Sequence, residues 1–159
     1  MATKEYVLVY PRVVNTRVCK EILLVEKDRP DWQKGRLNLV GGKIEPEETP
    51  EDAAIRELWE EAGLAALPNV KTVGKIVGSW GVVHCVKVPI LFGQTISPAE
   101  GETEEVNWYD WEEVKWDKRL LPNLKIVIPL MALGSSGWVV SDEGAVHDGQ
   151  INTSAMITH

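Results

Sequence analysis

The sequence has few cysteines, no long apolar run and a deficit of positive charge, and each of these absences narrows the class of protein. Cys19 and Cys85 are its two cysteines. They are too few for a disulfide framework and lack a CxxC spacing, so we interpret both as small buried hydrophobic residues. No apolar segment approaches the roughly 18 residues of a membrane helix, and the amino end has no signal-peptide pattern. We therefore expect a cytoplasmic protein without a membrane segment.

The charge balance argues against a partner that is itself a long polyanion. Seventeen Lys and Arg residues stand against 24 Asp and Glu, which gives a net charge of −7. Such a surface repels a phosphate backbone, so sequence-specific binding to nucleic acid is disfavoured. The chain is 44% hydrophobic and 26% charged, which is typical of a folded globular protein. Its 159 residues suit one domain, and we predict a single domain over 1–159.

Several segments have the composition of β-strands. The segments 5–14 and 18–26 are rich in β-branched residues and flank Asn15-Thr16, which predicts a hairpin. A short strand over 37–40 is expected to stop in a turn at Gly41-Gly42. Further strands are predicted at 70–77, 82–91 and 106–109, and Pro89 indicates a sheet edge or a strand end.

The clearest helix signal covers residues 50–62. Thr49 is a good N-cap, Pro50 suits the first helical position, and Gly63 suits a left-handed C-cap. A second helix is predicted at about 122–133, and residues 134–159 are expected to form either a closing hairpin or an ordered arm. Strands and helices mix without regular βαβ alternation, which predicts an α+β fold, or a layered α/β/α domain on a mixed sheet.

Three acids, Glu57, Glu60 and Glu61, lie on one face of the predicted helix because their spacing is i, i+3 and i+4. Like charges this close repel one another unless solvent or cations compensate them. Converging carboxylate oxygens suit Mg²⁺ or Mn²⁺. A solvated acidic face has the same spacing, so the helix alone leaves both interpretations open.

The surroundings of these acids form a longer pattern. Gly42 is followed after five residues by Glu48, and after seven more by the run Arg56-Glu57-Leu58-Trp59-Glu60-Glu61-Ala62-Gly63-Leu64. This string resembles the Nudix box without a mismatch. The resemblance implies a Nudix-like α/β/α sandwich around a mixed sheet, and a hydrolase that cleaves pyrophosphate linkages with Mg²⁺, or Mn²⁺, as cofactor.

The resemblance also implies roles for individual residues. Glu57, Glu60 and Glu61 would hold divalent cations together with the carbonyl of Gly41, and Arg56 would orient these carboxylates. Gly42, Glu48 and Gly63 would be supporting positions, and Lys43 would be a candidate phosphate contact. Many family members add a glutamate from a later loop. Of Glu102, Glu104 and Glu105 we favour Glu102 as an extra metal ligand and Glu105 as a base, although a solvated loop acid explains each equally well.

The nucleoside must be read by residues outside the box. Asn38 and Asn123 occupy positions that resemble base-reading positions in the mutator-type and oxidised-purine nucleoside triphosphatase branch of the family. An amide offers both a donor and an acceptor to a base. Leu121 stands where that branch has a stacking tryptophan, so Trp32, Trp80 or Trp108 would have to stack a base instead. Capping by either asparagine and packing by each tryptophan remain open alternatives.

These features lead to a functional expectation. We expect a Mg²⁺-dependent pyrophosphohydrolase that cleaves an ordinary or modified (deoxy)nucleoside triphosphate, such as 8-oxo-dGTP, to monophosphate and pyrophosphate. The alternatives are hydrolysis of ADP-ribose, a dinucleoside polyphosphate or capped RNA, and a catalytically silent nucleotide-binding module. The expected partner is a small nucleotide, and the protein is expected to be a monomer or a homodimer.

Overall fold

The structure, a computed structural model, describes residues 3–15, 20–142, 146–147 and 150–151. Cys19 and residues 152–159 therefore lie outside the described residues. The strands are β1 (Glu5–Val14), β2 (Glu21–Glu26), β3 (Leu37–Lys43), β4 (Lys71–Gly78), β5 (Gly81–Leu91), β6 (Glu105–Asp110), β7 (Trp138–Ser141), β8 (Val146–His147) and β9 (Gln150–Ile151). The helices are α1 (Pro50–Ala62), α2 (Trp111–Val114) and α3 (Leu124–Ala132).

Seven strands form one mixed sheet in the order β6-β2-β3-β1-β5-β4-β7. The β1–β5 and β4–β7 pairs are parallel, and the other neighbours are antiparallel. Alternate residues of β1 enter different cores: Val7 and Val9 pack with helix α1, whereas Leu8 packs with helix α3. The predicted α+β fold with helices on both faces of a mixed sheet is confirmed.

The predicted hairpin of the first two strands is wrong. Strand β3 lies between β1 and β2 and pairs antiparallel with both. It can do so because Leu37, Leu39 and Val40 are all buried, so that β3 is covered on both faces as a central strand must be. Short-range turn residues carry no information about a third strand that arrives later in the chain.

Helix α1 begins and ends where the sequence predicts. The Thr49 hydroxyl accepts a hydrogen bond from the Asp52 N–H at 3.1 Å, and Asp52 accepts one from the Thr49 N–H, which makes a capping box. At the other end Gly63 has φ of 68° and a left-handed conformation. The buried residues Ala54, Leu58 and Ala62 turn one face of the helix to the sheet.

Strands β4, β5 and β6 and helix α3 agree with prediction to within two residues, whereas helix α2 was not predicted. Pro89 lies near the end of β5, beyond the ladder with β4, which stops at Lys87; however, β5 is an interior strand. Strand β7 pairs with the open side of β4, and β8 pairs with β9. Residues 152–157, which belong to the alternative of a closing hairpin, lie outside the described residues. None of the helices in the described ranges has the length and apolar character needed to cross a bilayer.

Candidate active site

Two of the three predicted metal-binding acids meet on helix α1. The carboxyl groups of Glu57 and Glu61 are within hydrogen-bonding distance of each other, and Glu61 is 8% exposed. Burial, and then the neighbouring Glu57, raise the pKa of Glu61 to about 9. Burial also raises the pKa of Glu57. Two carboxylates this close, one buried and one partly buried, can both ionise at low cost only if a cation joins them.

Arg56 holds the acids around this pair. Its guanidinium donates to both oxygens of Glu48, at 2.8 and 2.9 Å, and to Glu57 at 2.9 Å. It also reaches Glu60 at 3.3 Å and the backbone carbonyl of Lys43 at 3.1 Å. A planar guanidinium is suited to such a fork of contacts. Arg56 thus contacts Glu48 and two of the three acids of α1.

Gly41 and Gly42 do not form the predicted turn. Both are extended members of β3, paired with Leu8 and Val7 of β1. Glycine is needed at these positions because there is no room for a side chain. A Cβ atom at Gly42 would overlap the carboxylate of Glu57, and one at Gly41 would overlap the backbone carbonyl of Val7. The glycine pair thus lets helix α1 bring Glu57 against the strand.

Among the three candidate loop acids, Glu104 comes closest to this cluster. It is not one of the two acids that we favoured from the sequence. Its Oε1 lies 3.1 Å from Lys27 Nζ, its Oε2 accepts from the Asp28 N–H at 2.7 Å, and its charge contributes to the raised pKa of Glu61. Glu102 and Glu105 are exposed. Alternation along the chain explains the difference, because Val106 faces helix α1 and Glu104 lies two residues before it.

The donor set suits a hard divalent cation. Glu61 Oε2 is buried and has no hydrogen-bond partner, beside a second carboxylate. Across residues 3–15, 20–142 and the short β8 and β9 segments, no three acidic, histidine or cysteine side chains already surround one metal-sized point. Mg²⁺ does not need such a cage, since it commonly binds through one or two carboxylates, waters and substrate phosphates. Glu57 and Glu61 therefore fit Mg²⁺, with Glu60 and Glu104 nearby.

A cavity of about 380 Å³ lies on the α3 side of the sheet, among residues that include Leu8, Ile76 and Leu121. Four of the predicted substrate-binding residues line it, namely Asn38, Trp80, Leu121 and Asn123. Lys43 is not among its lining residues. Trp32 also lines the cavity, whereas Trp108 packs in the α1 core.

The polar groups of the cavity differ in whether they already have hydrogen-bond partners within the protein. Asn38 donates to Gln33 Oε1 at 3.2 Å and accepts from the Leu39 N–H at 2.8 Å, so both ends of its amide have partners. Asn123 stands at the N-cap of α3 but makes no capping hydrogen bond, and its Oδ1 is buried without a partner. Trp80 Nε1 is likewise buried without a partner. Asn123 and Trp80 thus retain hydrogen-bonding capacity for a ligand.

The cavity and the acid cluster adjoin the same pair of strands. Tyr6 and Leu8, which line the cavity, are paired across the β1–β3 ladder with Lys43 and Gly41. None of the acids of α1 lines the cavity. A ligand that used both places would have to extend past this segment of β3.

Sequence reasoning named Glu104 as a candidate without favouring it, and it missed Asp142. The alternation of inward and outward residues could have selected Glu104, since the apolar Val106, two residues later, marks the inward face. Asp142 lines the cavity and is 2% exposed, although it lies far beyond the motif in a segment whose structure was left open. A single acid after a short apolar run carries no sequence signal of its own.

Comparison with known proteins identifies the same family as the sequence motif. A family model described as NUDIX domain matches residues 7–131. The NAD-capped RNA hydrolase NudC of Chromobacterium violaceum is 33% identical over 110 residues, which are 64% of this chain and 39% of NudC. The oxidized purine nucleoside triphosphate hydrolase of Mus musculus is 35% identical over 101 residues, which are 60% of this chain and 62% of that protein. The chain thus spans less than two thirds of the length of these relatives.

A solved structure has the same fold. The NUDIX domain of Shewanella oneidensis NrtR, complexed with ADP ribose, superposes with a TM-score of 0.64 over 84% of this chain and 89% of that one. Its sequence identity to this chain is 17%. At that identity the likeness concerns the fold.

Proposed function

The chain belongs to the NUDIX family, and from this premise we propose that it is a divalent-metal-dependent hydrolase of a nucleotide pyrophosphate linkage. The observation that carries the proposal is the pair formed by the buried Glu61 and the partly buried Glu57, with one oxygen of Glu61 lacking any partner. Such a pair is costly to a folded protein unless it binds a cation. The metal we propose is Mg²⁺, with Mn²⁺ as a substitute.

The protein residues have separable tasks in this proposal. Glu57 and Glu61 hold the metal, with Glu60 and the Gly41 carbonyl as further oxygen donors, and Arg56 keeps Glu57 and Glu60 in place. A bound divalent cation supplies positive charge that neutralises phosphate and acidifies a water molecule. We assign the additional acid to Glu104, which Lys27 and the Asp28 N–H fix in position while lone pairs on its carboxylate remain available.

We assign the substrate to the (deoxy)nucleoside triphosphates, ordinary or modified, with monophosphate and pyrophosphate as products. The cavity beside β1 and β3 supports this assignment because it offers aromatic rings and unpartnered polar groups for a base. The mouse relative is an oxidized purine nucleoside triphosphate hydrolase, whose substrates belong to the same class. We also propose that one catalytic domain accounts for the chain.

A substrate panel tests the proposal. Purified protein with Mg²⁺ is given the nucleoside triphosphates, 8-oxo-dGTP, ADP-ribose, a dinucleoside polyphosphate and NAD-capped RNA, and the products are identified by chromatography. We expect monophosphate and pyrophosphate from at least one triphosphate. Cleavage confined to the other substrates would move the assignment to them, and binding without cleavage would indicate a silent module.

The variant Glu61→Gln distinguishes this chemistry from a contaminating activity. We expect turnover to fall roughly 100-fold or more, since a charged ligand in a buried site is lost. Glu51→Gln is the matched control, because Glu51 lies in the first turn of the same helix. A normal rate in Glu61→Gln would overturn the metal assignment.

A further inference from the structure

One loop reaches from the wall of the cavity to the acid cluster. This cavity loop, residues 27–36, joins β2 to β3. Two backbone hydrogen bonds of 2.8 Å close it, from the Lys27 N–H to the Arg36 carbonyl and from the Gly35 N–H to the Lys27 carbonyl. The residues of the loop that line the cavity are Pro30, Trp32 and Gln33. Because the loop is bonded to itself, we infer that its first residues and its middle move together.

The first two residues of the cavity loop contact the additional acid Glu104. Lys27 Nζ lies 3.1 Å from Glu104 Oε1, and the Asp28 N–H donates to Glu104 Oε2 at 2.7 Å. Both contacts follow from the sheet, because Glu26 at the end of β2 pairs with Glu105 at the start of β6, and the next residues outward face each other in the same register. The additional acid of the proposed site is therefore fixed by the loop that lines the cavity.

A side-chain hydrogen bond joins the cavity loop to the segment that carries Glu104. The Thr103 hydroxyl donates to the Asp28 carboxylate at 2.7 Å. This hydrogen bond lowers the pKa of Asp28, so its carboxylate is ionised at neutral pH and the bond is charge-assisted. Neither side chain lines the cavity, and both residues are exposed. The bond can therefore be removed without disturbing a core.

We propose that Asp28 and Thr103 are positioning residues, through which a base in the cavity improves the position of Glu104. The inference rests on the proposed function, and it deepens that function by giving the base a part in turnover as well as in binding. A base that packs against Trp32 fixes the cavity loop, and the bond between Asp28 and Thr103 transmits this constraint to the segment that carries Glu104.

The first test compares a nucleotide with an analogue that has no base. With Mg²⁺ present, kcat and KM are measured for the best deoxynucleoside triphosphate of the panel and for 2-deoxyribose 5-triphosphate, which keeps every reacting atom. We expect kcat to fall roughly tenfold or more without the base, because Glu104 is then less well placed. A base that served binding alone would change KM and leave kcat equal, and that result would overturn the inference.

The second test removes the bond between Asp28 and Thr103. We expect Thr103→Val to lower kcat for the nucleotide roughly threefold to tenfold and to leave kcat for the baseless analogue nearly unchanged. Thr103→Ser is the matched control, because it keeps the hydroxyl group, and it should show the wild-type ratio of the two kcat values. Equal losses with both substrates, or no loss with either, would contradict the inference.

A double-mutant cycle assigns the effect to this bond. The Asp28 carboxyl group also lies within hydrogen-bonding distance of the Glu104 carboxyl group, so Asp28→Ala changes the charge beside Glu104 as well. The variant keeps the Asp28 N–H that donates to Glu104. If the bond is the cause, Thr103→Val lowers kcat no further in the Asp28→Ala protein. Independent losses that add would remove the positioning role of Thr103.

Amide exchange gives a measurement that needs neither metal nor turnover. The Asp28 N–H is bonded to Glu104, so its hydrogen exchange, followed by NMR, reports on that contact. We expect one or more of the deoxynucleoside monophosphates to slow this exchange roughly fivefold or more, 2-deoxyribose 5-phosphate to slow it less, and Thr103→Val to lose the slowing. This pattern supports the inference even if no substrate is cleaved. An active wild-type protein in which no monophosphate slows the Asp28 exchange would overturn the inference and leave the hydrolase proposal intact.

Discussion

At the scale of single residues, the acid cluster derives its properties from burial. Glu57 and Glu61 are close enough to share a hydrogen bond, whereas Glu60 on the same helix is directed towards Arg56. The basic groups nearest to the cluster, Arg56 and Lys27, are themselves paired with carboxylates. The site therefore retains excess negative charge, which suits a cation and would otherwise repel a phosphate.

The three loop acids provide a residue-scale prediction. We expect Glu104→Gln to lower kcat roughly tenfold or more, because Glu104 is the loop acid whose charge acts on Glu61. Glu102→Gln and Glu105→Gln are the matched controls, because both side chains are exposed. Steady-state rates with the best substrate of the panel decide the matter. If Glu105→Gln lost the most activity, the base would be Glu105, as the sequence predicts, and not Glu104.

The two glycines of β3 provide another prediction. We expect Gly42→Ala to reduce activity more than stability, because the new methyl group meets the end of the Glu57 side chain, which can move. Gly41→Ala should lower the free energy of unfolding by about 1–3 kcal/mol, because its methyl group meets the fixed carbonyl of Val7. Urea unfolding and turnover are measured for both. The interpretation fails if the two variants lose stability equally.

At the scale of elements, the ends of helix α1 determine where its acids point. The Thr49 capping box fixes the first turn, and Gly63 ends the last turn in a left-handed conformation. The following loop is attached to this end, because the Ser97 N–H donates to the Ala62 carbonyl and the Ala99 N–H to the Glu60 carbonyl, both at 2.8 Å. The C-terminal cap thus links the helix acids to the loop that leads to Glu104.

The two caps should respond differently to substitution. We expect Thr49→Ala to cost about 1 kcal/mol and to lower the melting temperature by about 2–4 °C, with nearly normal turnover. Gly63→Ala should cost more and should also lower turnover, because its φ is left-handed and its methyl group would overlap the Ser97 carbonyl. Calorimetry and steady-state rates are compared for both variants. Normal turnover in a folded Gly63→Ala protein would contradict the link from helix to loop.

At the scale of the whole molecule, the fold does not depend on the metal site. One apolar cluster joins the sheet to α1, and a second joins it to α3. Both contain fully buried leucine or isoleucine side chains from several strands. Burial of this kind is the main favourable contribution to folding. The acid cluster lies at the border of the first core, and in our proposal it binds metal and does not stabilise the fold.

Removal of metal therefore has a defined expected result. We expect a chelator to abolish hydrolysis reversibly while the circular dichroism spectrum and the cooperative unfolding transition are retained. Added Mg²⁺ should raise the melting temperature, by linkage worth about 2.7 kcal/mol at a hundred times its Kd. Glu61→Gln should lose most of this rise, and its metal-free form should be about as stable as the wild type, since the raised pKa already leaves Glu61 uncharged near neutral pH. Unfolding upon chelation would contradict this division of roles.

Local signals in the sequence determined helix α1 and its acids. The cap at Thr49, the apolar spacing of Ala54 and Leu58, and Gly63 act over a few residues, so their effect on the backbone can be read directly. The i, i+3, i+4 spacing likewise requires Glu57, Glu60 and Glu61 to share a face. The mixed α+β character followed from the alternation of such local signals.

Tertiary structure alone decided how distant segments meet. The insertion of β3 between β1 and β2, and the pairing of β7 with β4, depend on non-local hydrogen bonds that no short sequence pattern encodes. The same contacts bring Glu104 towards Glu61 and Asp142 to the cavity wall. Backbone preferences act between near neighbours in the chain, whereas the position of these acids depends on which surfaces are buried together.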